Sequence, residues 1–152
     1  MILLALLFGV SPVIAAPECA ADKVDIRSGN SSVRFSSEIV DSPETRALGL
    51  MNREKLGTFS GMLFVYPKPQ TMRFWMRNTL IPLDMIFIDE RGLVQYVHEN
   101  AIPLDETTIF GGDDIKFVFE INGGLSATFE INVGSEVRNP VISGPEVIWS
   151  CN

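Results

Sequence analysis

The residues best suited to chemistry lie close together in residues 72–79. If this segment is a β-strand, alternate side chains share a face, which places Trp75 between Arg73 and Arg77. Thr79 would follow on the same face, while Phe74 and the residues in phase with it would face the core. An indole ring binds sugars by stacking, and a guanidinium binds anions through forked hydrogen bonds. The pattern predicts a binding surface for a small polar ligand, either a glycan or an anion.

A structural interpretation of the same segment stays open. A half-buried tryptophan with arginines lying across its ring as cation–π partners would give the same pattern. Asn78 and Thr79, followed by Pro82 and Asp84, also suit a turn whose side chains cap backbone groups. In the binding interpretation, Asn78, Thr79 and Asp84 belong to the site; in the structural one, they stabilise the turn.

A second set of residues could support acid–base chemistry. Arg46 and Arg53 would project from nearly the same face of one continuous helix, where they extend the cationic binding surface. An enzyme would instead gather four residues around one cleft, with the two carboxyl groups as acid and base: Arg46, Asn78, Asp84 and Glu120. A hydrolase or transferase is therefore the alternative function. Ion pairs that only support the fold would use the same residue types.

The methionines suggest a further alternative, a periplasmic copper-binding module. Thioethers are soft ligands that select copper(I), and five of the six methionines fall in one stretch: Met51, Met62, Met72, Met76 and Met85. Each one sits in an apolar string, however, where methionine commonly fills gaps in a core. His98 has no neighbouring His or Cys, and the acidic pairs near residues 105 and 113 lack calcium-loop spacing. We therefore predict neither a metal site nor another cofactor.

Composition excludes several classes of protein. The chain has 152 residues, of which 46% are hydrophobic, so one folded domain is expected. Its formal net charge is −7, which argues against a nucleic-acid partner because phosphate contacts need clustered lysine and arginine. There is no Cys-x-x-Cys, phosphate loop or recognisable nucleophile–base pair. These observations favour a monomeric binding protein over an enzyme, with a small polar ligand or a cell-envelope component as its partner.

The chain begins with an apolar segment that predicts export. Residues 1–16 carry no charged side chain and fit a secretory signal peptide, with cleavage expected between residues 15 and 21. The mature protein would be periplasmic or secreted and away from the membrane; an uncleaved N-terminal membrane anchor is the alternative. In an oxidising compartment Cys19 and Cys151 can form a disulfide that joins the chain ends. Two free thiols in flexible ends remain the alternative.

The remaining pattern predicts a mainly β fold with a minor α+β character. Strands are expected from residue 33 onward and at residues 61–66, 72–78, 83–89, 93–99, 115–121 and 136–138. Ser42 and Pro43 start a short helix, and residues 123–131 are a second helix candidate. We expect a compact antiparallel sheet, partly closed like a barrel. It would occupy residues 33–138, between an extension at 17–32 and an extended tail at 139–152.

Three ordered strings carry a family resemblance. They read RALGLMNR at residues 46–53, GMLFV at 61–65 and FWMRNTLIPLDMIFID at 74–89. Over residues 33–137 the chain closely resembles the domain-of-unknown-function 192 family. The resemblance implies a small, mostly β domain that bacteria often export, and it implies no particular reaction. In the family, the segment before the following strand usually contains Tyr and Pro. Here that segment reads FGGDD at residues 110–114 and departs from the family pattern.

Overall fold

The computed structural model describes residues 18–151, so the predicted signal peptide lies outside the described residues. These described residues form seven strands and two short helices, in the order β1 (Lys23–Ser28), β2 (Ser31–Val40), α1 (Pro43–Leu48), β3 (Ser60–Phe74), β4 (Leu83–Asp89), β5 (Val94–Ala101), β6 (Ile109–Asn122), α2 (Leu125–Thr128) and β7 (Glu136–Arg138). The boundaries of β4 and β7 coincide with those predicted. No helix within residues 18–151 is long and apolar enough to cross a membrane.

All seven strands form one sheet in the order β5-β4-β6-β3-β2-β1-β7. β2 and β3 are parallel, because the chain crosses over through α1 between them, and the other neighbouring strands are antiparallel. A single bridge between Leu93 and Glu136 connects the two ends of this order. The sheet is therefore a half-barrel, which confirms the prediction of a mainly β, partly closed sheet with two short helices.

Two strands differ from the sequence-based expectation. Residues 61–66 and 72–78 were expected as separate strands, but β3 runs from Ser60 to Phe74 through Pro67 and Pro69. The pairing of β3 with β6 shifts register between Val65 and Gln70. Proline has no backbone N–H to donate, and it is tolerated here because the regular hydrogen-bond pattern is already interrupted. β1 was not predicted, since its residues lie in the expected N-terminal extension. It pairs with both β2 and β7 and buries Val24 completely.

The first helix begins as predicted and ends early. Ser42 caps its N-terminus, and the Ser42 side chain accepts a hydrogen bond from the backbone of Thr45. The helix ends at Leu48 because Gly49 turns the chain with a φ of 50°. The expectation that Arg46 and Arg53 share one helical face is wrong, since Arg53 lies beyond the end of the helix.

Alternating side chains of the central strands separate two hydrophobic cores. The first core contains Phe117, Phe119 and Ile121 of β6 together with residues from six other elements. The second core lies on the opposite face, and we call it the methionine core because it holds four methionines among its buried residues: Met62, Met72, Met76 and Met85. β4 contributes to both cores, and all of its residues are buried. This arrangement decides which polar side chains of β4 and β6 can meet.

A disulfide fastens the two ends of the described chain. Cys19 and Cys151 are bonded, with their Cα atoms 5.7 Å apart across a sequence separation of 132, which confirms the predicted pairing. Close to Cys151, the Trp149 ring contacts the guanidinium groups of Arg27 and Arg138, each of which lies 4.4 Å from the ring centroid. The C-terminal tail is thus held by stacking as well as by a covalent bond.

Candidate functional site

The Trp75 surface consists of Arg73, Trp75 and Arg77 at the end of β3. Trp75 follows the last residue of the strand and is 47% exposed. The Arg77 guanidinium lies 5.6 Å from the Trp75 ring centroid, and that of Arg73 lies 5.5 Å from the ring of Phe110. The arginines therefore contact aromatic rings while about half of the indole surface stays accessible to a ligand.

A larger concavity, the β5–β6 groove, adjoins this surface. Its volume is about 780 Å³, and its lining is formed by Met76, Gln95, Tyr96, His98, Ile102, Asp105, Thr107, Thr108, Ile109, Phe110, Gly111, Gly112 and Asp113. A smaller hollow of about 330 Å³ is lined by Arg73, Phe74, Trp75 and Thr108. Since Thr108 borders both, the smaller hollow beside Trp75 adjoins the groove.

The groove exists because the first part of β6 extends past β4. β4 pairs with β6 only as far as Ile115, whereas residues 109–112 pair with β3. Gly111 rests against the ring of Phe87, and a Cβ at this position would lie 2.1 Å from a ring carbon. Phe87 in turn stacks on Tyr96, with centroids 5.8 Å apart. We call residues 109–112 the arm of β6. A glycine is needed at position 111 because only then can the arm lie on the sheet and form one wall of the groove.

The loop between β5 and β6, residues 102–108, is held by hydrogen bonds to the turn after Trp75. The backbone N–H of Met76 donates to the Asp105 carbonyl at 2.8 Å, and that of Leu104 donates to the Thr79 carbonyl at 3.0 Å. Hydrogen bonds from Thr107 hold the pKa of the Asp105 carboxyl below its ordinary value. The loop therefore presents an ionised carboxylate at the edge of the groove.

The turn after Trp75 separates Thr79, one of the predicted site residues, from the Trp75 surface. Asn78 adopts a left-handed conformation with a φ of 53°, which ends the strand-like alternation. Thr79 is consequently only 5% exposed, and its hydroxyl donates to the Arg77 carbonyl at 3.2 Å. The expectation that Thr79 shares the exposed face of Trp75 is wrong, because the strand has already ended.

Asp84 is completely buried and acts as a structural hydrogen-bond acceptor. Its carboxylate accepts backbone N–H groups of Asn100 at 2.8 Å, Gly124 at 3.0 Å and Ser126 at 2.7 Å. These bonds join the end of β5 and the start of α2 to β4. Asp84 does not line the Trp75 surface or the groove.

Glu120 is also buried, but it lies on the other side of the sheet. In the register of β4 and β6, Asp84 pairs with Ile121 while Glu120 pairs with Met85. Adjacent residues of a strand point to opposite faces, so the two carboxyl groups are separated by the sheet. Burial raises the pKa of Glu120 to about 8. The hypothesis of one cleft with Asp84 and Glu120 as acid and base is wrong for this reason.

Arg46 and Arg53 are both engaged away from the Trp75 surface. The Arg46 guanidinium donates to the carbonyl of Val65 at 2.9 Å and also to that of Asp41. Arg53 forms a two-bond ion pair with Glu38, one bond measuring 2.8 Å. Neither arginine meets Asp84 or extends the binding surface, because Arg46 fastens α1 to β3 and Arg53 fastens the segment after α1 to β2.

Comparison with known proteins identifies the family. The family model DUF192, described as Uncharacterized ACR, matches residues 24–139. The chain belongs to the DUF192 family. This confirms the resemblance found in the sequence and adds β1 to the family domain. No curated protein matches the chain.

Two solved structures are similar to this DUF192 chain. A protein of unknown function from Novosphingobium aromaticivorans shares 36% identity over 85% of this chain and 99% of its own, with a TM-score of 0.74. A protein from Sinorhizobium meliloti, provisionally described as a transcription regulator, shares 29% identity over 81% of this chain and 96% of its own, with a TM-score of 0.75.

Several groove residues of this DUF192 domain were missed by the sequence analysis. Tyr96 is 40% exposed and Phe110 is 50% exposed, and both line the groove with Asp105 and Asp113. The departure from the family pattern at residues 110–114 was a usable signal, since it places an aromatic side chain beside two glycines. Within residues 18–151 no three His, Cys, Asp or Glu side chains gather as a metal site.

Proposed function

We propose that this DUF192 protein binds an acidic oligosaccharide in the β5–β6 groove and against the Trp75 surface. One observation carries the proposal: three half-exposed aromatic rings, those of Trp75, Tyr96 and Phe110, border two adjoining hollows. Exposed rings around a concave surface are typical of ligand sites, because leaving them in water loses hydrophobic free energy.

The polar groups around these rings fit the same ligand class. Sugar C–H faces pack on aromatic rings, and sugar hydroxyls donate to carboxylates such as those of Asp105 and Asp113. Arg73 and Arg77 stand at the other end, where their forked N–H groups suit a carboxylate or sulfate on the sugar. The acidic groove residues and the cationic Trp75 surface would thereby fix the direction in which the saccharide lies.

We further infer that this is binding without catalysis, outside the cytoplasm. The two candidate catalytic carboxyl groups face opposite sides of the sheet and do not line the groove. The Cys19–Cys151 disulfide supports an oxidising compartment, as does the apolar leader in the sequence. The description of the Sinorhizobium protein is not extended to this chain. A phosphate backbone needs many clustered lysines and arginines, and the net charge here is −7, whereas an acidic group on a sugar needs only the two arginines beside Trp75.

Calorimetric titration with matched oligosaccharides tests the proposal. The probes are a uronic-acid oligosaccharide and a neutral one of the same length. We expect the acidic probe to bind more tightly and Trp75→Ala to weaken it about tenfold, which equals about 1.4 kcal/mol. Arg77→Gln should weaken the acidic probe and leave the neutral one unchanged.

Two matched controls locate the site. Trp149→Phe removes the other tryptophan and Arg53→Gln removes a distant cation, and both should bind like the parent protein. Quenching of tryptophan fluorescence by the acidic probe should persist in Trp149→Phe and disappear in Trp75→Phe. Binding of neither probe at millimolar concentration, or equal binding by Trp75→Ala and the parent, would contradict the proposal.

A further inference from the structure

Glu120 lies between two methionines in the middle of the sheet. It pairs directly with Met62 of β3 on one side and with Met85 of β4 on the other. Directly opposed residues of antiparallel strands point to the same face, with Cβ atoms about 4.5–5.5 Å apart. All three side chains are buried, Glu120 being 5% exposed. One carboxyl group and two thioethers therefore share a single location in the methionine core.

This carboxyl group has no structural partner within residues 18–151. It makes no ion pair or hydrogen bond there, and Tyr66 is the residue with which it interacts electrostatically. Burying a carboxyl group without a partner is unfavourable, whereas a leucine or methionine at the same position would stabilise the core. Packing alone does not explain the presence of Glu120.

We propose that Met62, Glu120 and Met85 form a binding site for a soft monovalent metal ion of the copper(I) type. Thioether sulfur selects soft ions, which separates this donor set from the oxygen-rich sites of calcium and magnesium. Binding releases the proton of the Glu120 carboxyl group, and the single negative charge of the resulting carboxylate balances a monovalent ion, so the occupied site is neutral. A divalent ion would leave a net charge in the apolar core, which is unfavourable.

The methionine core also borders the β5–β6 groove. Met76 belongs to this core together with Met62 and Met85, and it lines the β5–β6 groove. Met76 therefore marks one part of the groove wall that backs onto the methionine core. The site does not depend on the saccharide-binding proposal, because none of its three ligands lines the groove or the smaller hollow.

Titration with silver(I) tests the site. Silver(I) resembles copper(I) in charge and softness and needs no reductant, so the Cys19–Cys151 disulfide stays intact. With that disulfide formed, no free cysteine competes for the ion among residues 18–151. In chloride-free buffer we expect native mass spectrometry to show one tightly bound silver ion per chain and the thermal unfolding midpoint to rise.

The variants assign the ligands. Glu120→Gln keeps the size of the side chain and removes its charge, and we expect silver affinity to fall at least about tenfold. Met62→Leu and Met85→Leu should each weaken binding by a similar factor. Met51→Leu, outside the methionine core, and Met72→Leu, inside it but paired with Gly112, are the controls and should bind like the parent.

Several results would overturn the proposal. They are the absence of silver binding by the parent protein, equal affinity in Glu120→Gln, or an equal loss in Met72→Leu and Met62→Leu. Binding that disappears in His98→Gln and survives in Glu120→Gln would place the ion at the histidine instead. Circular dichroism checks that each variant is folded, and if a leucine variant is not, Glu120→Gln decides the outcome.

Discussion

Asp84 and Glu120 are both buried carboxyl groups, but their surroundings differ. Three backbone N–H groups donate hydrogen bonds to the Asp84 carboxylate, and these bonds replace the ones that it loses to water on burial. Glu120 lies among methionines, and burial alone raises its pKa to about 8. At neutral pH the proton on Glu120 is therefore retained in the folded protein and lost in the unfolded one. This difference links folding stability to pH.

We expect Glu120→Gln to stabilise the protein above pH 8 and to change little at pH 4. In the unfolded chain the carboxyl ionises near its ordinary pKa of 4.5, and in the folded chain near 8. Between these values the folded state binds more protons, so the stability of the parent protein falls as pH rises. The difference in unfolding free energy should reach several kcal/mol, with about 5 kcal/mol as its upper limit.

Urea unfolding at pH values from 4 to 9 measures this difference. Glu99→Gln, at an exposed position of β5, controls for the loss of a carboxyl group. A constant difference between Glu120→Gln and the parent across the whole pH range would contradict the assignment of a buried, protonated Glu120. The metal ion must be absent from these samples, since binding to the folded state would add its own stabilisation.

At the scale of elements, strands with local signals were predictable and those with distant partners were not. The strands predicted at residues 83–89 and 93–99 carry local signals, since turn-forming residues stand between them at 89–92, and the structure pairs them as the antiparallel β4–β5 hairpin. β1 carries too few apolar residues to be recognised alone, and its strand structure depends on pairing with β2 and β7. The arm of β6 over Phe87 was equally hidden, because its position depends on a contact between segments distant in sequence.

Gly111→Ala should destabilise the protein by about 1–3 kcal/mol, because the added methyl group overlaps the Phe87 ring. Chemical unfolding of a double-mutant cycle checks the cause. In a Phe87→Ala background the same glycine substitution should cost much less, since the ring is gone. Equal costs in the two backgrounds would show that the arm of β6 does not rest on Phe87.

At the scale of the molecule, only part of the candidate site could be predicted from the sequence. Arg73, Trp75 and Arg77 lie within five consecutive residues, so strand alternation was enough to group them. Tyr96 and Phe110 come from different strands and meet at the groove only through the order of the sheet. A single sequence carries no signal for that order, and the side of the sheet on which Glu120 lies was hidden for the same reason.

Reduction of the disulfide should lower the unfolding free energy by about 2–4 kcal/mol, because the bond restricts a very long loop in the unfolded chain. Urea unfolding with and without a thiol reductant measures the effect. The double variant Cys19→Ser/Cys151→Ser should match the reduced parent and should not respond to the reductant. An unchanged unfolding midpoint after complete reduction would contradict the prediction.

The position of that disulfide also determines how the molecule would carry tension. Cys19 and Cys151 are bonded to each other near the two ends of the described chain, and the sheet lies between them in sequence. A force that pulls on the chain before Cys19 and after Cys151 would pass through the sulfur–sulfur bond. The hydrogen bonds between the strands would then bear almost no load. While the bond is intact, the domain would resist mechanical unfolding from its ends.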